Sequence, residues 1–261
     1  MSRRPVALSF GGGVQSTTLL LMVKLGMIHA DIAVFADPGW EYHDTYQHLW
    51  EVAQWSPIPI IIVSSGNIRE DVLRGERVAS MPIFLDSGEI TWSPSKGWAP
   101  AKGFARRQCT YEYKLRPIYD YLDRWRDGQE IDVLVGISWD ESQRVKPAPK
   151  DWAHRVDPLV DRRMRRSDCE ALLAEHSITA TRSSCVGCPM HSDYEWSKLS
   201  SREASESREV ELALQQQDAW RGVPHLHSLC DPIDATIKRL QASEASKLSL
   251  FGADCDGACG T

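Results

Sequence analysis

Residues 9–17 read Ser9-Phe10-Gly11-Gly12-Gly13-Val14-Gln15-Ser16-Thr17, between a short apolar run (Val6 to Phe10) and a stretch of crowded apolar residues (Ser16 to Met27). This is the order strand, glycine loop, buried helix. Glycines let the backbone approach a ligand and turn successive N–H groups into one concavity. The helix that follows adds its free N–H groups and the positive end of its dipole. With hydroxyls at Ser16 and Thr17, the loop has what a phosphate site needs. The alternative is a tight strand-to-helix turn with no ligand. Two other phosphate loops are excluded. No lysine precedes Ser16, as G-x-x-x-x-G-K-[ST] requires, and Ser16 occupies the place of the last glycine in G-x-G-x-x-G.

Outward from this loop, Asp31 to Ala36 reads as a second strand, broken by Asp37-Pro38-Gly39, and Tyr46 to Trp55 as a helix. Pro59 to Val63 is apolar without interruption, which predicts a strand covered on both faces. The β-α-β-α-β order predicts a parallel sheet with right-handed crossovers. Residues 75–105, rich in Gly, Pro, Ser and Trp, show no period and read as a long loop or lid. Lys114 to Arg126 reads as a helix and Ile131 to Val135 as a strand ending at Gly136. Ser167-Asp168 is expected to cap a helix over 169–175, and residues 192–220 are helix-forming. The expected fold is α/β: an open, Rossmann-like parallel sheet of five or more strands flanked by helices, with a mostly helical C-terminal appendage. The expected domains are 1–190, which binds nucleotide and carries the cysteine cluster, and 191–261, the appendage with its glycine-rich tail.

Hydrophobic residues make up 42% of the 261 and charged residues 25%, so a globular core is expected. The net charge of -6 weighs against a protein that coats nucleic acid nonspecifically. It leaves room for a local basic groove at Arg162, Arg163, Arg165 and Arg166, which otherwise form a solvated helix start. No run of about 18 apolar residues is present, and Met1 to Pro5 does not read as the start of a signal peptide. The expectation is a soluble, cytoplasmic protein with no membrane partner. Seven cysteines, an odd number, then point to metal or redox chemistry rather than a disulfide framework.

The loop resembles the pyrophosphate loop, S-G-G-x-D-S, of the adenine nucleotide α-hydrolases (the PP-loop superfamily), and within them the phosphoadenylyl-sulfate reductase-like group. Four further segments resemble that group in order. Ala36-Asp-Pro-Gly-Trp-Glu41 with Thr45 is similar to its D-T-G-x-E-F-P-E-T. Arg107-Gln-Cys-Thr110 with Lys114 and Pro117 is similar to R-x-C-T-x-x-x-K-x-x-P. Gly136-Ile-Ser-Trp-Asp-Glu-Ser-Gln-Arg144 is similar to G-x-R-x-x-E-S-x-x-R, and Asp157-Pro-Leu159 to a later N-P-L strand end. Gly11 and Gln15 stand where the family loop has Ser and Asp, and Pro38 where it has Thr. The resemblance implies that Ser9, Phe10, Gly11, Gly12, Gly13, Gln15, Ser16, Thr17, Asp37, Gly136 and Glu141 bind ATP, or adenylyl-sulfate or its 3′-phosphorylated form (APS or PAPS). Arg107, Lys114 and Arg144 are candidates to meet phosphate or sulfate. Asp140 and Glu141 are candidates to hold Mg²⁺ or to orient Arg144. Asp37 follows a strand's C-terminal end, the edge at which open α/β sheets bind ligands.

Ser184-Cys185-Val-Gly-Cys188-Pro189 holds a C-x-x-C pair, and Cys109 lies beside Arg106 and Arg107. On the residues alone three readings stay open besides buried thiols: a redox dithiol, a zinc site with His191 as fourth ligand, and an iron–sulfur cluster on Cys109, Cys185 and Cys188. Some members of the resembled family hold a 4Fe-4S cluster through a C-C pair and a later C-x-x-C. Here Gln108 replaces the first cysteine of that pair, which resembles the three-cysteine, sulfur-transferring branch. Cys169 reads as a core residue.

Three functions follow. The first is a sulfurtransferase that adenylylates its acceptor, such as a nucleic acid, with ATP and Mg²⁺. The second is a sulfonucleotide reductase in which Cys255 or Cys259 of the tail attacks sulfur. The third is a nucleotide or redox sensor without catalysis. Expected partners are an adenine nucleotide, a nucleic-acid acceptor and a sulfur-donor or thiol-redox protein, with a homodimer left open.

Overall fold

The computed structural model describes residues 3–75, 81–93, 97–105, 108–180 and 183–252. In chain order the elements are β1 (Val6–Ser9), α1 (Val14–Lys24), β2 (Ile32–Ala36), α2 (His43–Trp55), β3 (Ile60–Val63), α3 (Ile68–Arg74), β4 (Phe84–Ser93) and β5 (Gly97–Phe104). A π-helical turn over Thr110–Leu115 then leads into α4 (Arg116–Trp125), β6 (Ile131–Val135), a 3-10 segment over Trp139–Arg144, β7 (Ala153–Val156), α5 (Pro158–Asp161) and α6 (Arg166–Glu175). The chain ends in α7 (Asp193–Ser197), α8 (Ser201–Gln215), β8 (Val223–His225) and α9 (Ile233–Gly252). It divides into one unit of Met1–Asn67 with Thr110–Cys185 and another of Ile68–Cys109 with Val186–Thr261. Residues 68–109, placed in the nucleotide-binding domain on the sequence, thus group with the C-terminal part.

The first unit is the expected α/β fold. Its sheet has the order β3-β2-β1-β6-β7, every pair parallel. Alternation along the strands divides the core into two layers. Leu8, Phe35 and Leu134 meet α1 (Leu19, Leu20), α2 (Leu49, Val52) and α6 (Leu173). Ala7, Val34 and Val133 meet Ile118, Tyr119 and Leu122 of α4 on the other face. As expected from its crowded apolar residues, α1 is buried along most of its length, from Ser16 to Met22. Cys169 of α6 is fully buried in the first layer, and burial pushes its thiol up to about 11.

Three expectations are corrected. First, β3 is the outermost strand and Ile62 is 59% exposed, so its apolar run is not covered on both faces. Second, residues 84–93 and 97–104 are strands rather than an irregular loop: β4 and β5 pair antiparallel, and β8 adds to the far side of β4. The register shifts between Asp86 and Ile90, around Gly88 at φ +73°, which breaks the period-two signal. Third, α6 starts at Arg166, and Asp168, its third residue, accepts the Arg165 N–H at 2.7 Å.

In the second unit, Ser192 with Glu195 and Ser200 with Glu203 form capping boxes that start α7 and α8. Glu211 of α8 is fully buried and accepts from the Leu226 N–H (3.2 Å), the Ile233 N–H (2.9 Å) and Arg208 Nη1 (2.7 Å). One carboxylate thereby fixes the strand β8 and the start of α9 to α8. Removing it strands two buried amides and leaves Arg208 with Asp234 as its remaining carboxylate partner. Glu211→Ala is expected to cost about 3–5 kcal/mol, read as a lowered denaturant midpoint.

Candidate functional site

The glycine loop joins the carboxyl end of β1 to α1. Gly12 has φ +74°, which favours glycine, and a Cβ there would lie 3.4 Å from the Phe35 ring and 3.5 Å from the Thr45 methyl. Gly13 caps α1, whose first internal bond runs from the Thr17 N–H to Gly13 O at 2.9 Å. The N–H groups of Val14, Gln15 and Ser16 therefore have no acceptor inside the helix. They open at the crevice between β1 and β6, where the strand order reverses, the usual ligand edge of such a sheet. Gly136, the residue after β6, lies against this turn: a Cβ on it would sit 2.9 Å from Ser16 N and 3.1 Å from the Gln15 carbonyl carbon. Its place in the sequence pattern has this packing cause.

Several expected residues converge here. Glu141 accepts from Gln15 Nε2 (3.1 Å) and Arg144 Nη1 (2.6 Å), which joins the loop to the segment after β6. Glu141 thus orients Arg144, one of its two expected roles. Asp140 accepts the Arg166 N–H at 3.0 Å and so holds the start of α6. At the end of β2, Asp37 Oδ1 accepts from the Gly39 N–H (2.7 Å) and the Tyr46 hydroxyl (2.8 Å). Burial, then its bond to Asp37, pushes the Tyr46 phenol far above its ordinary range. Lys114 Nζ lies 2.6 Å from Glu41 Oε1, and Ser183 Oγ donates to Glu41 Oε2 at 3.1 Å. The Glu41 side chain is fully buried, while Lys114 is 36% exposed.

Glu41 and Ser183 were not singled out on the sequence. Ser183 borders the loop as well: a Cβ on Gly13 would lie 3.8 Å from Ser183 N. A carboxylate beside Asp37-Pro-Gly was the available signal for Glu41. Ser183 carried none, because only the tertiary fold brings it near the loop.

The other expected residues have protein partners of their own. The Thr17 hydroxyl is buried and bonded to His48 Nε2 at 2.9 Å. Phe10 is 1% exposed and packs on Phe35, its N–H donating to Val34 O. Ser9 is the last residue of β1, in register with Val34 and Val135. Ser16 Oγ donates to Gly13 O at 3.1 Å. In the run 162–166, Arg162 reaches the Pro158 and Met27 carbonyls, Arg163 lies over Trp139 and Arg166 pairs with Glu170. Arg107, Cys255 and Cys259 lie outside the described residues.

No protein-family model and no curated protein matches the chain. Solved structures do. A phosphoadenylyl-sulfate (PAPS) reductase from Candida auris, in a phosphate complex, is 13% identical with a TM-score of 0.45, over 69% of this chain and 76% of that one. The U34-tRNA thiolase NcsA from Methanococcus maripaludis, with its [4Fe-4S] cluster, is 13% identical with a TM-score of 0.45, over 92% of this chain and 82% of that one.

Cys185 belongs to the first unit, Cys109 and Cys188 to the second. Among the described residues no three His, Cys, Asp or Glu side chains are grouped to hold a metal ion. Both Glu141 oxygens accept protein hydrogen bonds. Lys114 and Arg144 each carry a carboxylate partner.

Two outcomes are expected. Gly136→Ala forces the first turn of α1 to shift, at a cost of about 1–3 kcal/mol in urea unfolding. A contact with ligand alone would leave stability unchanged. Burial holds the His48 imidazole below its ordinary 6.5, so it is neutral in the fold while the unfolded chain takes up a proton more readily. Its contribution is complete above that value and declines as pH falls below it. Urea midpoints between about pH 8 and about pH 5 are expected to fall toward acid, less steeply in His48→Gln.

Proposed function

We propose that this chain is an ATP-using enzyme that binds the nucleotide's phosphates at residues 11–16 and adenylylates an oxygen acceptor so that sulfur can replace the oxygen. The observation that carries the reading is the trio of N–H groups on Val14, Gln15 and Ser16, opening at the β1/β6 crevice behind a loop whose turn at Gly12 favours glycine. Such an array binds phosphate through fixed donors and the helix dipole. The adenine half rests on the ordered motifs from Ser9 to Leu159.

In the first step an acceptor oxygen attacks the α-phosphorus, the bond to the bridging oxygen breaks, and pyrophosphate leaves with that electron pair. The loop amides stabilise the charge that develops on the leaving group. Lys114, steadied by Glu41, and Arg144, steadied by Glu141, serve as the cationic contacts to the phosphates. In the second step the terminal sulfur of a persulfide on a carrier protein displaces AMP, which carries away the acceptor's oxygen, and a second thiol of the carrier reduces the resulting acceptor–S–S–carrier disulfide and frees the thiolated acceptor. The acceptor class is a nucleic acid, for which the arginines at 162–166 offer phosphate contacts. Three-cysteine iron–sulfur ligation is left out of these steps.

The second reading, a sulfonucleotide reductase, is favoured by the paired cysteines of the tail. Calorimetric titration with ATP, AMP and adenylyl-sulfate, followed by assay of pyrophosphate and sulfite, separates the two. The sulfurtransferase reading expects saturable ATP binding, weakened at least about tenfold by Gly12→Ala, and pyrophosphate release that survives removal of residues 253–261. Sulfite release from adenylyl-sulfate, lost with that tail, would establish the reductase. Absence of nucleotide binding would refute both.

A further inference from the structure

Away from the glycine loop, the far half of α1 meets α2 and the chain after α6 around a cavity of about 370 Å³, at the small end of the range for small-molecule sites. At 1.5 Å per residue, Leu21 and Lys24 stand roughly 12–17 Å along α1 from Gly13, so this is not the phosphate crevice. The inner wall is apolar: Leu21 and Val52 are buried, with Trp55 and Ile178 half-buried beside them.

One polar side chain is buried in that wall. His48 is 3% exposed. Its Nε2 is bonded to Thr17, and its Nδ1, shut off from solvent, faces the Thr179 backbone, so the ring is fixed as part of the wall. The rim carries opposite charges. Lys24 holds its ammonium 5.1 Å from the centre of the Trp55 ring, and Glu51 lies on α2 one turn from both His48 and Trp55. Both rim residues are exposed and line the cavity.

An ammonium and a carboxylate above an apolar floor with one aromatic wall are the complement of a small zwitterion with an apolar body. Glu51 opposes a phosphate or a plain carboxylic acid, and the volume suits a molecule smaller than a nucleotide. We propose that this cavity binds a free apolar α-amino acid. Its carboxylate faces Lys24, its ammonium faces Glu51, and its side chain packs on Leu21, Val52 and Trp55. His48 lines the same wall, so the bound side chain lies near its ring. The proposal stands whether or not the glycine loop binds ATP.

The test is calorimetric titration of the full chain with L-leucine and L-phenylalanine, alongside ¹⁵N spectra of labelled histidine. Saturable binding that moves the His48 ring-nitrogen signals is expected. Affinity is expected to fall at least about tenfold for the N-acetyl and amide forms, and likewise in Lys24→Met and Glu51→Gln. Both substitutions are on exposed side chains, and unchanged thermal unfolding confirms that the fold is kept. No heat and no His48 shift up to about 10 mM ligand would overturn the proposal. So would affinity unchanged in both variants, or equal affinity for uncharged apolar analogues.

Discussion

Ser16 and Gly136 are in backbone contact where α1 begins and β6 ends, and little else in the first unit could stand as it does if that contact were looser. A side chain on residue 136 would occupy the space of the Ser16 amide. With glycine there, the helix start is drawn into the gap between the two central strands. The Gly12 turn at φ +74° then lets the chain enter the helix without striking Phe35 or Thr45. The direction of the helix dipole and the position of the free amides follow from these two steric facts. The apolar faces of α1 and β1 reinforce them by burying the same elements in one layer.

Charge around the crevice is arranged in balanced pairs. Lys114 with Glu41 and Arg144 with Glu141 hold their cations in place without leaving bare positive charge at the rim. A buried carboxylate such as Glu41 is costly alone and tolerable with a cation and a hydroxyl on its two oxygens. An anion that reaches the loop amides competes with carboxylates for the two cations, so selectivity for charge and shape is built in before any chemistry.

The parallel sheet was legible in the sequence because its strands are short apolar runs separated by glycine or proline turns and by helical spacing. The glycine loop was legible for the same local reasons, and so was the core position of Cys169. Strands β4 and β5 were not. Their pairing is interrupted at Gly88 and includes a proline, so the alternation that betrays a strand was absent. The exposure of Ile62 was hidden too, since composition cannot say which apolar strand ends up at the edge. At the site, sequence pattern named residues near the loop without telling ligand contacts from supports. The bond between Thr17 and His48, for one, is not written in either local pattern. Ser183 and Glu41 gain their meaning from neighbours far away in the chain, which spacing alone does not reveal.

The neighbours of β1 are also neighbours in time. β1 pairs with β2 on one side, soon after both are made, and with β6 on the other, across more than a hundred intervening positions. Among these lie residues 68–109, which belong to the second unit. A ribosome therefore releases the central strand of the sheet long before its second partner exists. Loop closure over that separation is slow, and the bare edge of β1 is open to wrong pairing while it waits. The continuity of the glycine loop and the vulnerability of the nascent chain thus have one origin: the strand that carries the loop is the strand of its sheet that waits longest for its second partner.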